Sequence, residues 1–276
     1  MMSSPEQNAE NAAVEKSRPH ELPWFLESNI IRWALAGLIL VLLWVIIAFF
    51  SRSTIIEVLE AFIILSTEGD SGGFVLADHA AQSLFIVTVG FCVAVATAVP
   101  LGIAMGRYSI ADSVFGPVVE ATRPIPPIAW IPLSLLIFTS LLSAQVFIIW
   151  IGAFFPILIN TTTGVKRTEP VHIDVAKTFG ASESRILTSV VIPSAAPEMF
   201  AGMRIGFGIG WMCLVAAEMI GSNKGLGYLI WTMQQVGWTG AVIASMLVIG
   251  LIGFLVSYVL LMVEKRLLRW RQGVAV

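Results

Sequence analysis

Long apolar runs without charge recur along the chain, separated by shorter polar stretches that hold most of its ionisable residues. About 20 helical residues are needed to cross the hydrocarbon core of a bilayer. By that length the pattern predicts six spans, near residues 30–50, 80–106, 113–141, 144–163, 197–220 and 239–263. The third is broken by Pro117, Pro124, Pro126, Pro127 and Pro132. Each interior proline removes a backbone donor, and the residue before it avoids the α region, so no regular helix runs through 123–127. Between the first two spans, 54-TIIEVLEAFIIL-65 has apolar positions at helical spacing and predicts an amphipathic helix in the membrane interface.

Composition agrees with that pattern. Of 276 residues, 57% are hydrophobic and 12% are charged; a soluble domain carries about 25% charged residues. Mean hydropathy is +0.87. The fold class expected is an all-α polytopic membrane protein. Residues 1–29 read as a polar, disordered tail. The run Trp33 to Phe50 exceeds the apolar region of a secretory signal and has no A-x-A site after it. Cys92 and Cys213 lie in apolar runs without metal-ligand spacing, read as buried small hydrophobes, and offer no metal site.

Charge fixes the orientation. With the N-terminus inside, Lys16, Arg18, Arg32, Arg107, Lys166, Arg167, Lys177, Arg185, Arg204, Lys265, Arg266, Arg269 and Arg271 fall on or near the cytoplasmic side. Arg52 and Lys224 fall outside, and Arg123 lies within the broken third span. The excess of inner positive charge predicts both termini in the cytoplasm. Residues 30–79 are then the first span and an acidic outer connection. Residues 80–263 form the core, and 264–276 a basic inner tail. No nucleic acid is expected as a partner.

The longest inner connection between spans, 164–196, contains 174-DVAKTFGASESRILTSVVIP-193. Pro170 suits the first turn of a helix that runs to about Phe179. Gly180 suits the left-handed residue that ends it. Ser182 suits the cap of a second helix, with Ile186, Leu187 and Val190 as its apolar stripe and Pro193 as its stop. Such a helix–turn–helix either rests on the membrane or fills a cleft on a soluble partner.

The residues Asp174, Ala176, Gly180, Ala181, Ser182, Ile192 and Pro193 resemble the EAA loop of permease subunits of ATP-binding-cassette importers. The chain departs from that pattern in Asp174 for Glu, Val175 for the first Ala and Ile192 for Leu. The stretches 123-RPIPPIAWIPL-133, 196-APEMFAGMRIGFGIGW-211, 215-VAAEMIG-221 and 225-GLGYLI-230 resemble permeases for nitrate, sulfonates, taurine and bicarbonate, in order and at matching separations. The resemblance covers about two thirds of the chain, from about Gly90 onward. It implies a type I ABC importer permease fold in the cell membrane and a homodimeric pore. It also implies two ATP-binding subunits beneath, with the loop helices in their clefts, and an extracytoplasmic solute-binding protein above. ATP and magnesium then belong to the partner ATPase. This chain has no GxxxxGK[ST] to cradle phosphates and is expected to bind no cofactor.

Candidate translocation-path residues are Glu120, Arg123, Pro126, Pro127, Trp130, Arg204, Trp211 and Glu218. Irregular backbone at membrane depth belongs where protein buries it or a wet cavity meets it, so 123–130 either lines the path or is an inner-side kink after an interfacial helix at about 111–122. Glu120 and Arg123 are spaced to pair on one helix face. Arg204 and Glu218 are about 21 Å apart along one helix and do not pair with each other. Arg204 either snorkels or meets the loop; Glu218 either gates or bonds neighbouring backbone. Trp130 and Trp211 line a pore or pack in the core. The glycines at 102 and 106, and at 202, 206 and 210, have the spacing of close helix packing. Trp24, Trp33, Trp231, Trp238 and Trp270 read as interface anchors. His79 reads as a residue at a span entrance, without a catalytic role. A stand-alone secondary transporter or channel is the competing class; neither inverted repeats nor a set of midplane ion ligands supports it.

Overall fold

The computed structural model describes residues 54–268 together with position 38. The predicted first span at 30–50, Trp24, Trp33, Trp270 and the chain ends lie outside the described residues. The chain divides into residues 1–55 and 56–276; of the first unit, Leu38 is helical and exposed. Everything below concerns the second unit.

Its described residues form helices joined by short turns and loops, without strands. Helix α1 is Ile55–Thr67, α2 is Leu76–Arg107 and α3 is Ser109–Thr122. A short 3-10 turn at Pro127–Trp130 leads into α4, Ile131–Ile137. Helix α5 is Leu141–Lys166 and α6 is Pro170–Thr178. Helix α7 is Glu183–Gly221, α8 is Leu226–Gln235 and α9 is Thr239–Leu267. Helices α2, α5, α7 and α9 are the 4 described helices long and apolar enough to cross a membrane. The proline-rich third stretch is not one spanning helix. It folds as α3, an irregular 123–126 and a short apolar helix, because the missing donors and the pre-proline restriction fall together there.

Helix α5 is the central post, gripped on opposite sides by α2 and α7. The approach is close because glycines face it. A Cβ at Gly102 would stand 2.7 Å from Thr161 Cβ, and one at Gly202 would stand 2.6 Å from Asn160 Cβ and 3.0 Å from the Pro156 carbonyl. Gly106 meets Val165, and Gly206 meets Ala153 and Ile157, in the same manner. The small-residue spacing therefore does what was expected of it, letting backbones approach where bulk apolar contact alone gives no preference over lipid.

Two buried clusters matter for function. Toward the outer end, Leu65, Ile86, Ile149, Trp211, Leu214, Leu226, Leu229 and Ala241 pack together from α1, α2, α5, α7, α8 and α9. Trp211 is buried there, stacked on Phe207 at 6.2 Å between ring centroids. Toward the inner end, Val165, Ile186, Val191 and Ala195 pack with Ile173, Ala176 and Ala181, tying the polar loop to the bundle. Cys213 is buried as expected, whereas Cys92 is exposed on α2. Helix α1 buries Val58, Ala61 and Leu65 on one stripe and exposes Ile56, Leu59, Phe62 and Ile63. Trp231 is exposed, and Trp238 packs partly buried against the outer cluster.

Candidate functional site

At the inner face, α6 starts with Pro170 in its first turn and ends in a left-handed glycine turn. Gly180 has φ +73°. The Ala181 N–H donates to the Ala176 carbonyl at 3.0 Å, and the Gly180 N–H to the Lys177 carbonyl at 2.9 Å. These are the two bonds of a Schellman motif, and they satisfy carbonyls a helix end leaves open. Ser182 stands at the cap position of the next helix and its carbonyl accepts from Ile186 N–H at 2.9 Å, but its side chain makes no capping bond.

Pro193 does not stop that second helix, contrary to the expectation from sequence. Residues Leu187–Val191 form a π turn, and the Ile192 N–H reaches back five residues to the Leu187 carbonyl. The wider turn accommodates the proline ring, and α7 continues to Gly221. The extra residue also moves the apolar stripe: Ile186 and Val191 are buried, while Leu187 and Val190 are half-buried.

Helix α6 itself has no buried residue. Val171, Val175 and Phe179, spaced four apart, stay exposed, Phe179 at 86%. Asp174 is exposed beside that stripe and makes no ion pair among the described residues, and Ala176 turns inward. A solvent-level helix does not normally present three large apolar side chains on one line.

Ion pairs tie the inner ends of the helices. Arg107 of α2 bonds Glu183 of α7, Lys166 of α5 bonds Asp112 of α3 at 2.7 Å, and Arg167 bonds Glu198 at 2.8 Å. Arg204 pairs with Glu264 of α9 at 3.0 Å. Its partner is thus neither headgroup water alone nor the loop, but a carboxylate one helix away.

Glu120 and Arg123 pair at 3.1 Å, as their spacing predicted. Both face a cavity of about 280 Å³ bounded also by Asp112, Thr162 and Lys166. Trp130 borders a neighbouring apolar groove of about 290 Å³ with Phe147, Trp150 and Phe154. Pro126 is exposed and Pro127 half-buried between them.

Glu218 is not near these residues. It is fully buried at the opposite end of α7, in a polar network that sequence reasoning missed. Ser83 Oγ lies 2.8 and 2.9 Å from the two Glu218 carboxyl oxygens. The Leu226 N–H donates to Ser83 Oγ at 2.9 Å, and the Gly227 N–H donates to Glu218 Oε2 at 2.9 Å. The Gly225 N–H donates to His79 Nδ1 at 3.0 Å, which leaves Nε2 of that ring to face Asp70 Oδ2 at 3.5 Å. Three backbone donors at the start of α8 are thus satisfied by side chains from α2 and α7, with a carboxyl group at a helix N-terminus. Gly225, at φ +134°, makes the turn that aims them. The available signal was the i, i+4 spacing of His79 and Ser83, two polar groups on one face of an apolar span.

Comparison with known proteins agrees with this architecture. Residues 98–269 match the family described as "Binding-protein-dependent transport system inner membrane component". A putative ABC transporter permease protein of Methanocaldococcus jannaschii is 43% identical over 237 residues, 84% of this chain and 89% of that one. The taurine transport system permease protein TauC of Escherichia coli is 34% identical, covering 78% of each chain. The nitrate import permease protein NrtB of Synechocystis is 30% identical, covering 91% of this chain and 94% of that one. Among solved structures, an inward-facing MetNI methionine ABC transporter matches with a TM-score of 0.58 at 18% identity, over 70% of this chain and 94% of that one. The fold is that of a type I ABC importer permease, and the chain belongs to the family of inner-membrane components of binding-protein-dependent transport systems, multi-pass permeases of the cell membrane.

Proposed function

We propose that this chain is the membrane-spanning subunit of an ATP-driven importer. It forms a homodimeric path for a small anionic solute of the sulfonate, taurine, nitrate or bicarbonate type. A solute-binding protein delivers the solute at the outer face, and two ATP-binding subunits, carrying ATP and magnesium, hydrolyse the nucleotide beneath. The chain itself performs no hydrolysis.

The observation that carries this reading is the exposed line Val171, Val175 and Phe179 on α6, ended by the Gly180 turn. An apolar stripe on the inner side of the bundle gains by burial in a protein cleft, at about 25 cal/mol per Å² removed from water. Asp174 beside it offers a carboxylate to a basic group on the same partner, one methylene shorter than the usual Glu. Ala176, Ala181, Ile192 and Pro193 position that helix. The solute class is supported by the names of the taurine and nitrate relatives. Glu120, Arg123, Pro126, Pro127 and Trp130 are proposed to border the path: Glu120 and Arg123 share one cavity with Lys166 and Thr162, and Trp130 lines the adjoining apolar groove. Cysteine substitutions along 123–130 test that assignment. Labelling by a water-soluble maleimide in at least one nucleotide state is expected, and complete protection in every state refutes it.

The coupling role is tested by co-purification. The chain is expected to bring down a separate ATPase subunit, and Phe179→Asp to lose it while the membrane bundle keeps its thermal stability. Retention of the ATPase by Phe179→Asp contradicts the assignment of α6.

A further inference from the structure

The cavity of about 280 Å³ bordered by α3 and α5 carries four ionisable side chains whose charges cancel. Asp112 and Glu120 come from α3, Arg123 from the residue that caps it, and Lys166 from the last turn of α5. They stand as two separate pairs, Lys166–Asp112 at 2.7 Å and Arg123–Glu120 at 3.1 Å. Asp112 and Glu120 are eight positions apart in the sequence, about 12 Å along a helix axis, so the two pairs are spread along the cavity. Gly116 lies midway between them in the same wall. A Cβ placed on it would have only Asp112 Oδ1 within 4 Å, at 4.0 Å. The wall between the pairs is therefore bare.

This arrangement discriminates by charge pattern. The side chains of the pairs are 48% and 38% exposed for Lys166 and Asp112, and 46% and 63% for Arg123 and Glu120. Pairs at that exposure are worth little, so exchanging a partner costs little. A plain oxyanion that takes Lys166 or Arg123 leaves the displaced carboxylate without its cation and facing a like charge. A molecule with an ammonium as well as an oxyanion avoids that loss: each charge it separates receives an opposite charge in return. The volume also exceeds what a nitrate or bicarbonate ion fills, and approaches that of sites for small organic ligands.

We propose that this cavity is a binding site for a short zwitterion, with a protonated amine at one end and a sulfonate, phosphate or carboxylate at the other. The oxyanion lies toward the cation of one pair and the ammonium toward the carboxylate of the other, with the connecting chain over Gly116. The inference rests on the importer reading and narrows its solute class to aminosulfonates of the taurine kind, against nitrate and bicarbonate. The head of phosphatidylethanolamine carries the same chemistry, and the test separates the two sources.

The experiment is equilibrium binding of radiolabelled taurine to the full chain in a nonionic detergent, with unlabelled competitors. Taurine is expected to compete about tenfold better than nitrate or than ethanesulfonate, which lacks the ammonium. Asp112→Asn and Glu120→Gln each leave the cavity with net positive charge. Each is expected to weaken taurine about fivefold and to bring ethanesulfonate level with it or ahead. A general structural defect weakens both ligands together and leaves their order unchanged. Gly116→Leu puts its side chain into the bare wall, and is expected to abolish binding without lowering the melting temperature. Phosphatidylethanolamine retained through purification in preference to phosphatidylglycerol, and lost in Gly116→Leu, assigns the site to the headgroup; taurine binding without such retention assigns it to the solute. Three results overturn the proposal: ethanesulfonate or nitrate binding as tightly as taurine to the unaltered chain, zwitterion binding that survives Gly116→Leu, or neither zwitterion held. None of these measurements uses ATP or a partner protein. Absence of ATP-driven uptake by the assembled complex strikes the importer reading, and is read separately from them.

Discussion

Replacing Gly180 isolates one physical quantity. The residue sits at φ +73°, and a Cβ placed on it meets nothing within 4 Å. Steric collision inside the chain therefore contributes nothing, and the whole penalty is conformational. A left-handed L-residue costs roughly 1–2 kcal/mol, with Asn tolerating the region better and β-branched residues worse. The loop conformation that ends α6 and aims α7 is held by two backbone bonds and by the burial of Ile186. If a partner binds that conformation, its apparent affinity falls with the population of the turn. Gly180→Ala is then expected to weaken binding of the ATPase subunit about five- to thirty-fold, Gly180→Asn less and Gly180→Val more. The assay is titration of the purified ATPase subunit against detergent-solubilised chain, with the melting temperature of the bundle as control. Equal losses for Ala, Asn and Val, or Asn worst of the three, would show that contact with the partner and not the left-handed turn sets the requirement. That result refutes the reasoning.

Other consequences follow from the same geometry. Gly202→Ala forces a Cβ to within 2.6 Å of Asn160 Cβ and 3.0 Å of the Pro156 carbonyl; a loss of about 1–3 kcal/mol is expected, seen as a lower melting temperature in detergent, whereas Gly208→Ala, with nothing within 4 Å, is expected to be neutral. The Arg204–Glu264 pair is 39% and 21% exposed, so a double-mutant cycle on thermal stability is expected to return less than about 1 kcal/mol. A coupling several times larger contradicts that placement.

Much of the architecture was legible because it depends on local pattern. Apolar length located α2, α5 and α9 to within a few residues, and the far end of α7, whose start at Glu183 lies well before the predicted span at 197–220. Pro170 and Gly180 marked both ends of α6, and the glycines at 202 and 206 sit where helices touch. Pro193 misled because its local rule assumes an α turn, and one inserted residue at Leu187–Val191 removes the clash. That insertion is also why Val191 took the buried place expected of Val190. The proline-rich stretch announced its break, and the helix expected at about 111–122 as one of two readings is α3, Ser109–Thr122; that α4 is as short as Ile131–Ile137 was not legible. The outer network was out of reach for a different reason. Ser83 and Glu218 are 135 positions apart, and neither residue type says which backbone donors it will meet. Only the packing of α2 against α7, with Gly225 turning α8 toward them, brings these groups together.

The central claim is that this chain moves solute only when driven from below and supplied from above. Uptake of radiolabelled taurine, nitrate and bicarbonate into liposomes, measured for the chain alone and for the chain with its ATPase and binding protein, tests it directly. Uptake of one of these solutes is expected only with all three components and ATP. Full uptake by the chain alone, with no ATP, contradicts the account.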